Sequence, residues 1–288
     1  MNTITALYTY PIKSCRGNAL TSLDIGPKGV SHDREWVVVD ANNATQVLTQ
    51  CNTPQLACVD AVVRPYGSFP EALHVEVDGV GGIVVLPTTR EREDDRVATR
   101  MQKVTCYGYD QGRRAREFFS DFLGRPARLL RMAPADMRTP PHLAERWQTR
   151  FGYAYAYPLH LTTEASLTSL NAMRPPGMSL ITMDRFRPNI VLKGCGPRDE
   201  ENWDTFSIQG IPFHGVSPCV RCSTITTDQR TGERDSRLTA LLVERHYEFR
   251  DRKPVFGINL VSGTVPGGEA RLTIGATIQD LHTTLRAQ

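Results

Sequence analysis

Leu73-His74-Val75-Glu76-Val77 alternates apolar and polar residues strictly, Asp78-Gly79 follows, and Gly82 to Leu86 resumes an apolar run. Period-two alternation on both sides of an Asp-Gly pair spells a β-hairpin. The same pattern extends toward the N-terminus. Ile4 to Tyr10 alternates, and Trp36-Val37-Val38-Val39 is a short apolar run ended by Asp40. Short strands at close spacing, with turn residues between them, predict a small antiparallel barrel or sandwich. Arg90 to Arg96 is a charge run and reads as a solvated loop or hairpin tip.

Helices enter further along. Ala115, Phe118, Phe119, Phe122 and Leu123 share one face at 3.6 periodicity, which predicts a helix over Arg113 to Leu123, stopped by Gly124 and Pro126. Met132 to Tyr153 is polar and interrupted by Pro140-Pro141, so it reads as a long loop. Thr163 to Met173 is a second predicted helix, with Thr162 or Thr163 as N-cap and Leu167 and Leu170 facing inward. Strand patterns return at Ile190 to Lys193, Phe206 to Phe213 and Leu272 to Ile274. The expected class is α+β, mostly β.

Composition bounds the rest. The 288 residues are 40% hydrophobic and 23% charged, which excludes wholesale disorder. The formal charge of +3 is too small and too mixed for a nucleic-acid protein. Only five of the 34 basic residues are Lys, so Arg, whose planar fork suits phosphate and carboxylate, dominates. Seven cysteines, Cys15, Cys51, Cys58, Cys106, Cys195, Cys219 and Cys222, are an odd count that does not suggest a disulfide scaffold. The start MNTITALYTYPIKSC is not a signal peptide, and no apolar run approaches the roughly 18 residues that span a bilayer. A soluble, cytoplasmic protein with free thiols is expected.

Four dispersed segments carry chemistry. Ser217-Pro218-Cys219-Val220-Arg221-Cys222 precedes Thr226-Thr227-Asp228. A single CxxC reads as half a zinc site, a redox pair or two core thiols, and no second CxxC or matching His pair completes a zinc site. Arg221 beside Cys222 is expected to favour the thiolate. Arg185-Phe186-Arg187-Pro188-Asn189 can bind an anion at a strand entrance. Tyr10-Pro11-Ile12-Lys13-Ser14-Cys15 and His32-Asp33-Arg34-Glu35-Trp36 offer Lys13, Ser14 and Arg34 as phosphate donors. Each of these segments also reads as an ordinary loop beside a strand.

Together, in this order and spacing, YPIKSC, HDREW, DRFRPN and SPCVRC with TTDQRTG resemble the MOSC family with its N-terminal β-barrel extension, which includes the amidoxime-reducing proteins. The resemblance implies a MOSC N-terminal β-barrel domain over 1–128 and a MOSC domain over 129–288. It also implies a molybdenum cofactor between the two. Cys222 falls on the family's metal-ligand and catalytic cysteine, a soft donor suited to a thiophilic metal. Lys13, Ser14, Arg34, Arg187, Asn189, Val220, Arg221 and Asn259 fall on cofactor-contacting positions. Cys219 matches a family cysteine that is not the ligand. The chain departs from the family at Tyr153 to Pro158, where Tyr155 stands in place of a common Asp. Pyridoxal phosphate binding is a further label carried by the family.

The activity implied is a molybdenum-dependent reductase of N-hydroxylated compounds: amidoximes, hydroxylamines and N-hydroxylated nucleobases. No Cys follows Cys222, so a C-terminal iron–sulfur domain of C-x4-C-x2-C type is not expected. Electrons would then come from a separate flavoprotein reductase, cytochrome b5-like protein or ferredoxin, with neither nucleic acid nor membrane as partner. The alternative is a sulfur carrier using a Cys222 persulfide. A binding module using the Arg-rich surface would leave the four segments unexplained.

Overall fold

A computed structural model describes residues 1–26, 29–86, 96–101, 104–140, 143, 146–147, 149–245, 253–263, 268 and 270–284. The first strands are β1 (Thr3–Thr9), β2 (Asn18–Leu20), β3 (Ser22–Gly26), β4 (Gly29–Val30) and β5 (Trp36–Asp40). They are followed by β6 (Val59–Tyr66), β7 (Phe69–Val77), β8 (Gly81–Val85), β9 (Arg96–Met101) and β10 (Val104–Asp110). Helix α1 (Arg113–Leu123), β11 (Ala127–Arg131), β12 (Leu159–Thr163), α2 (Glu164–Ala172) and β13 (Ile190–Lys193) come next. The chain continues through β14 (Trp203–Ile208), β15 (Ile211–Val220), α3 (Arg237–Arg245), β16 (Val255–Ser262), β17 (Ala270–Thr273) and β18 (Ile278–Thr283). The class is α+β, mostly β, as expected.

The largest sheet has eight strands in the order β18-β14-β15-β16-β12-β13-β1-β2. Its neighbours are antiparallel except β12 and β13, which run parallel because α2 lies in the crossover between them. A four-stranded sheet orders β5-β11-β10-β9, and two three-stranded sheets order β17-β3-β4 and β6-β7-β8. The first thirty residues thus pair largely with strands from the C-terminal half. β1 lies on β13, and β3 lies on β17.

β5 is buried along its whole length because two cores use it. Trp36 and Val38 join the cluster holding Leu73, Val75 and Phe119, while Val37 and Val39 join the one holding Met101 and Leu130. Alternation across a strand sends successive side chains to opposite faces, so an unbroken Val run fills both. The hairpin read from Leu73 to Leu86 is β7–β8, with Val77 opposite Gly81 and Gly79 at φ 75° in the turn. Helix α1 matches its sequence pattern, buries Ala115 and Phe119, and ends on Gly124 at φ 62°.

The structure corrects two readings. Phe206 to Phe213 is not one strand. Gln209 and Gly210, at φ 51° and 77°, make a two-residue turn joining β14 to β15, with Ile208 opposite Ile211. Helix α3 was not anticipated. Leu238, Leu241 and Leu242 are its buried stripe, packed on Phe256 and Ile225. Among the described residues of 132–153 there is a 3-10 turn at Pro134–Asp136, a helical Leu143 and a bridge from Arg138 to Phe151, so the expected loop is not structureless. The charge run 90–96 lies outside the described residues apart from Arg96, whose guanidinium pairs with Asp136 and sits 4.3 Å from the Tyr107 ring centroid.

Candidate cofactor site

Backbone hydrogen bonds bring the dispersed segments together. Lys13 N donates to Trp36 O at 2.8 Å, Trp36 N to Pro11 O at 3.0 Å and Arg34 N to Tyr10 O at 2.7 Å, zipping YPIKSC onto HDREW. Tyr153 N donates to Arg34 O at 2.6 Å. Asn189 N donates to His160 O at 2.8 Å, and Tyr8 N to Asn189 O at 2.9 Å, which seats the DRFRPN segment beside the first strand. Ser14, His32, Arg34 and Arg187 have φ of 69°, 59°, 49° and 53°, a left-handed region costing about 1 kcal/mol or more per non-glycine residue. Strain gathered at adjoining loops is a mark of a functional site.

The centre of the site is a stack. Two guanidiniums pack on the Tyr10 ring, with Arg34 Cζ at 4.2 Å and Arg187 Cζ at 4.3 Å from its centroid, and its hydroxyl donates to Pro188 O at 2.9 Å. Arg34 is neutralised by Asp33, and it donates through Nη1 to Asn189 Oδ1 at 3.2 Å and through Nη2 to Arg187 O at 3.2 Å. Arg187 is only 8% exposed. Its Nη1 donates to Cys15 O at 2.5 Å and, at 3.4 Å, to Gln229 Oε1, while its Nη2 is buried with no partner. Among the described residues no carboxylate pairs with it. Burial and the Arg34 charge pull its pKa down to about 10.

Lys13 completes the cationic group. Its Nζ donates to Tyr153 O at 3.0 Å and stands 5.9 Å from the Tyr155 ring centroid. Burial pulls its pKa down to about 7, helped by Arg34, Arg187 and Arg138 and opposed by Cys222. Three guanidiniums and one sulfur therefore act on one ammonium. Arg138, which no motif singled out, donates to Tyr155 O at 2.9 Å and to Ala154 O. Both of these contacts are to backbone carbonyls, and the Tyr155 side chain is exposed.

Cys222 is exposed and caps the 3-10 turn Ser223–Thr226. Its Sγ lies 3.8 Å from Sγ of Cys51, and both sulfurs lie 3.2 Å from Thr224 Oγ1. The two sulfurs share one contact: it and burial push the Cys222 thiol up, while the same contact pulls the Cys51 thiol down. The expectation that Arg221 eases Cys222 into its thiolate is not met. Arg221 Nη1 donates at 2.7 Å to Cys219 Sγ and Nη2 at 2.7 Å to Phe186 O, so the guanidinium serves the other cysteine.

The remaining expected residues are dispersed around this centre. Ser14 is buried, and its carbonyl accepts from Gln50 Nε2 at 2.8 Å. Asn189 is fully buried, bridging Arg34, His160 N and Tyr8 O. Asn259 is one strand over, opposite His160 and donating to Ser217 Oγ at 3.3 Å. Val220 is 54% exposed. Arg185 is held by Asp228 at 2.7 Å and closes the TTDQRTG turn, leaving Arg187 as the member of the pair facing the stack. Sequence reading missed Cys51, Gln50 and Gln229. The two amides are buried and bonded to each other at 2.9 and 3.1 Å, tying the Cys51 loop to the turn after Cys222.

A molybdenum cofactor presents a phosphate and a thiophilic metal, and these residues fit both ends. The orphaned Arg187 Nη2, with the Lys13 ammonium beside it and, among the described residues, no carboxylate on either, is a set of donors lacking an anion, next to Arg34, which already has Asp33. Cys222 offers an exposed soft sulfur. Among the described residues no group of three metal-ligating side chains competes with it, and no helix is long and apolar enough to cross a membrane.

Residues 1–126 match the MOSC N-terminal beta barrel domain and residues 148–279 the MOSC domain. The chain is 28% identical to human molybdenum cofactor sulfurase over 91% of its own length and 30% of that protein. It is 29% identical to the zebrafish (Danio rerio) protein of that name, covering 90% of itself and 32% of the relative. It spans about a third of these sulfurases. Human mitochondrial amidoxime reducing component 2 is 28% identical over 90% of this chain and 78% of that protein. With both domain matches in chain order and together covering most of the chain, the chain belongs to the MOSC-domain family whose members carry the N-terminal β-barrel domain.

Proposed function

We propose that this protein binds a molybdenum cofactor and reduces N-hydroxylated compounds, amidoximes, hydroxylamines and N-hydroxylated nucleobases among them, with electrons from a separate redox protein. The donor is a flavoprotein reductase, a cytochrome b5-like protein or a ferredoxin. The observation that carries this reading is the buried Arg187 Nη2 without a partner, in a cationic stack that also contains Lys13 and Arg34. Such a group costs stability unless an anion completes it.

When bound, the cofactor supplies two-electron removal of oxygen from an N–OH group. The chain's own residues bind and orient. Arg187 and Arg34, fixed by Tyr10, hold the anionic end, and Lys13 adds charge from the Tyr153 side. Cys222 offers its sulfur from the rim, where a substrate and a redox partner can both approach. Asn189 holds Arg34 and the His160 strand in register.

The close Cys51–Cys222 pair favours one second reading, sulfur transfer through a Cys222 persulfide. One experiment separates the two. Protein made with cofactor synthesis intact is analysed for molybdenum and pterin, then supplied with benzamidoxime and a reduced dye. Metal, pterin and turnover together support the reductase. Metal-free protein that accepts sulfur from a cysteine desulfurase onto Cys222 overturns it.

A further inference from the structure

The seven thiols are not equivalent. Cys15, Cys106 and Cys219 are buried, Cys58 donates to Arg230 O at 3.4 Å and Cys195 is half-buried. Cys51 and Cys222 are both exposed, and they face each other across 171 residues of chain at 3.8 Å, with one hydroxyl, Thr224 Oγ1, at 3.2 Å from each. Neither sits in a strand. Cys51 belongs to a turn closed by Asn52 Oδ1 accepting from Thr49 N at 2.7 Å, and Cys222 lies between β15 and a 3-10 turn. Gln50, next to Cys51, is locked to Gln229, and Arg234 donates to the Gln50 carbonyl. The two sulfurs are thus held side by side by loops that the buried Gln50–Gln229 amides tie together. A disulfide needs an S–S separation of about 2.05 Å, so the sulfurs must close by less than one bond-and-a-half length.

We propose that Cys51 and Cys222 are a reversible redox pair, whose disulfide forms in the cofactor-free protein and shields the Cys222 sulfur from irreversible oxidation. With hydrogen peroxide as oxidant, one thiolate attacks a peroxide oxygen. The O–O bond breaks, hydroxide leaves, and a sulfenic acid remains. The second sulfur attacks the sulfenic sulfur, an S–S bond forms, the S–O bond breaks, and hydroxide leaves to become water with the thiol's proton. Two thiols and one peroxide give one disulfide and two waters. A dithiol reductant restores both thiols by exchange. The consequence for metal loading, that a bridged Cys222 has no thiolate to offer, rests on the function proposed above. The bridge itself does not.

The test uses full-length protein made without cofactor synthesis. After hydrogen peroxide and alkylation of residual thiols, peptide mapping without reductant reads the linkage. A Cys51–Cys222 linked peptide, loss of two free thiols and full recovery with dithiothreitol are expected. In Cys51→Ala the same treatment takes Cys222 to sulfinic and sulfonic acids that dithiothreitol does not reverse. Free alkylated Cys51 and Cys222 after oxidation, or a bridge to any other cysteine, overturns the proposal. Oxidised wild-type protein is then supplied with molybdenum cofactor before and after reduction. Uptake only after reduction is expected. Equal uptake by the bridged protein overturns the shielding of the metal-ligand sulfur. A reversible bridge in a protein that takes up no cofactor even when reduced counts against the metal reading and leaves the redox pair standing.

Discussion

Arg187 is a cation buried without an anion, on a residue held at φ 53°. Removing its charge relieves repulsion with Arg34 and Lys13, so Arg187→Met stays folded. A charge-assisted hydrogen bond to a phosphate contributes about 1.5–3 kcal/mol, and its loss weakens retention of the anion by roughly one to two orders of magnitude. Pterin content after extensive dialysis measures this. Lys13 adds a pH dependence. Its pKa falls from 10.5 in the unfolded chain to about 7 in the fold, so the unfolded state binds the extra proton between those values. The penalty for burying the ammonium is therefore full below pH 7, relaxes as pH rises, and is gone near 10.5. Wild-type protein without cofactor melts below Lys13→Met at pH 6, and the gap closes by pH 10, as thermal melts of the pair will show. Cys222→Ala abolishes benzamidoxime reduction without loss of fold, because the side chain is exposed. Cys219→Ala keeps activity and costs about 1 kcal/mol of stability for the Arg221 hydrogen bond. The motif residues were legible in sequence because their types match a phosphate and a soft metal. The aim of Arg221 was not, since adjacency along the chain does not fix where a long side chain turns. Nor was Cys51, whose partner is remote in sequence and close only in the fold.

At the scale of elements, the loop between β1 and β2 presents Tyr10 to both arginines. Gly17 closes that loop, and a Cβ there would overlap the Tyr10 ring. Gly17→Ala displaces the ring and lowers both the melting temperature and pterin content, whereas Gly79→Ala, with open space around it, is destabilised without loss of pterin. Patterns at Leu73–Val77 and Arg113–Leu123 were readable because each has one clear period, and Ile190–Lys193 because a short apolar run follows Pro188. The break at Gln209-Gly210 hid inside apolar neighbours on both sides, and only the left-handed backbone at both positions reveals it. Helix α3 carried a legible stripe in Leu238, Leu241 and Leu242. It was masked by the polar run before it, and its burial against Phe256 comes from tertiary packing rather than from its own composition.

Across the whole molecule, β1 to β4 knit the N-terminal residues into sheets with β13 and β17, and the Gln50–Gln229 amides join the halves again beside the cysteines. No local pattern announces such long-range pairing, which is why the sequence was readable strand by strand and not as sheets. The central claim is that this junction, with Arg187 at its centre and Cys222 at its rim, is a molybdenum cofactor site. The most direct measurement is the molybdenum and pterin content per chain of wild-type, Arg187→Met and Cys222→Ala proteins made side by side with cofactor synthesis intact. The account predicts both components in the wild type, loss of both in Arg187→Met, and pterin retained with reduced molybdenum in Cys222→Ala. Undiminished molybdenum and pterin in Arg187→Met, or neither component in the wild type, would contradict it.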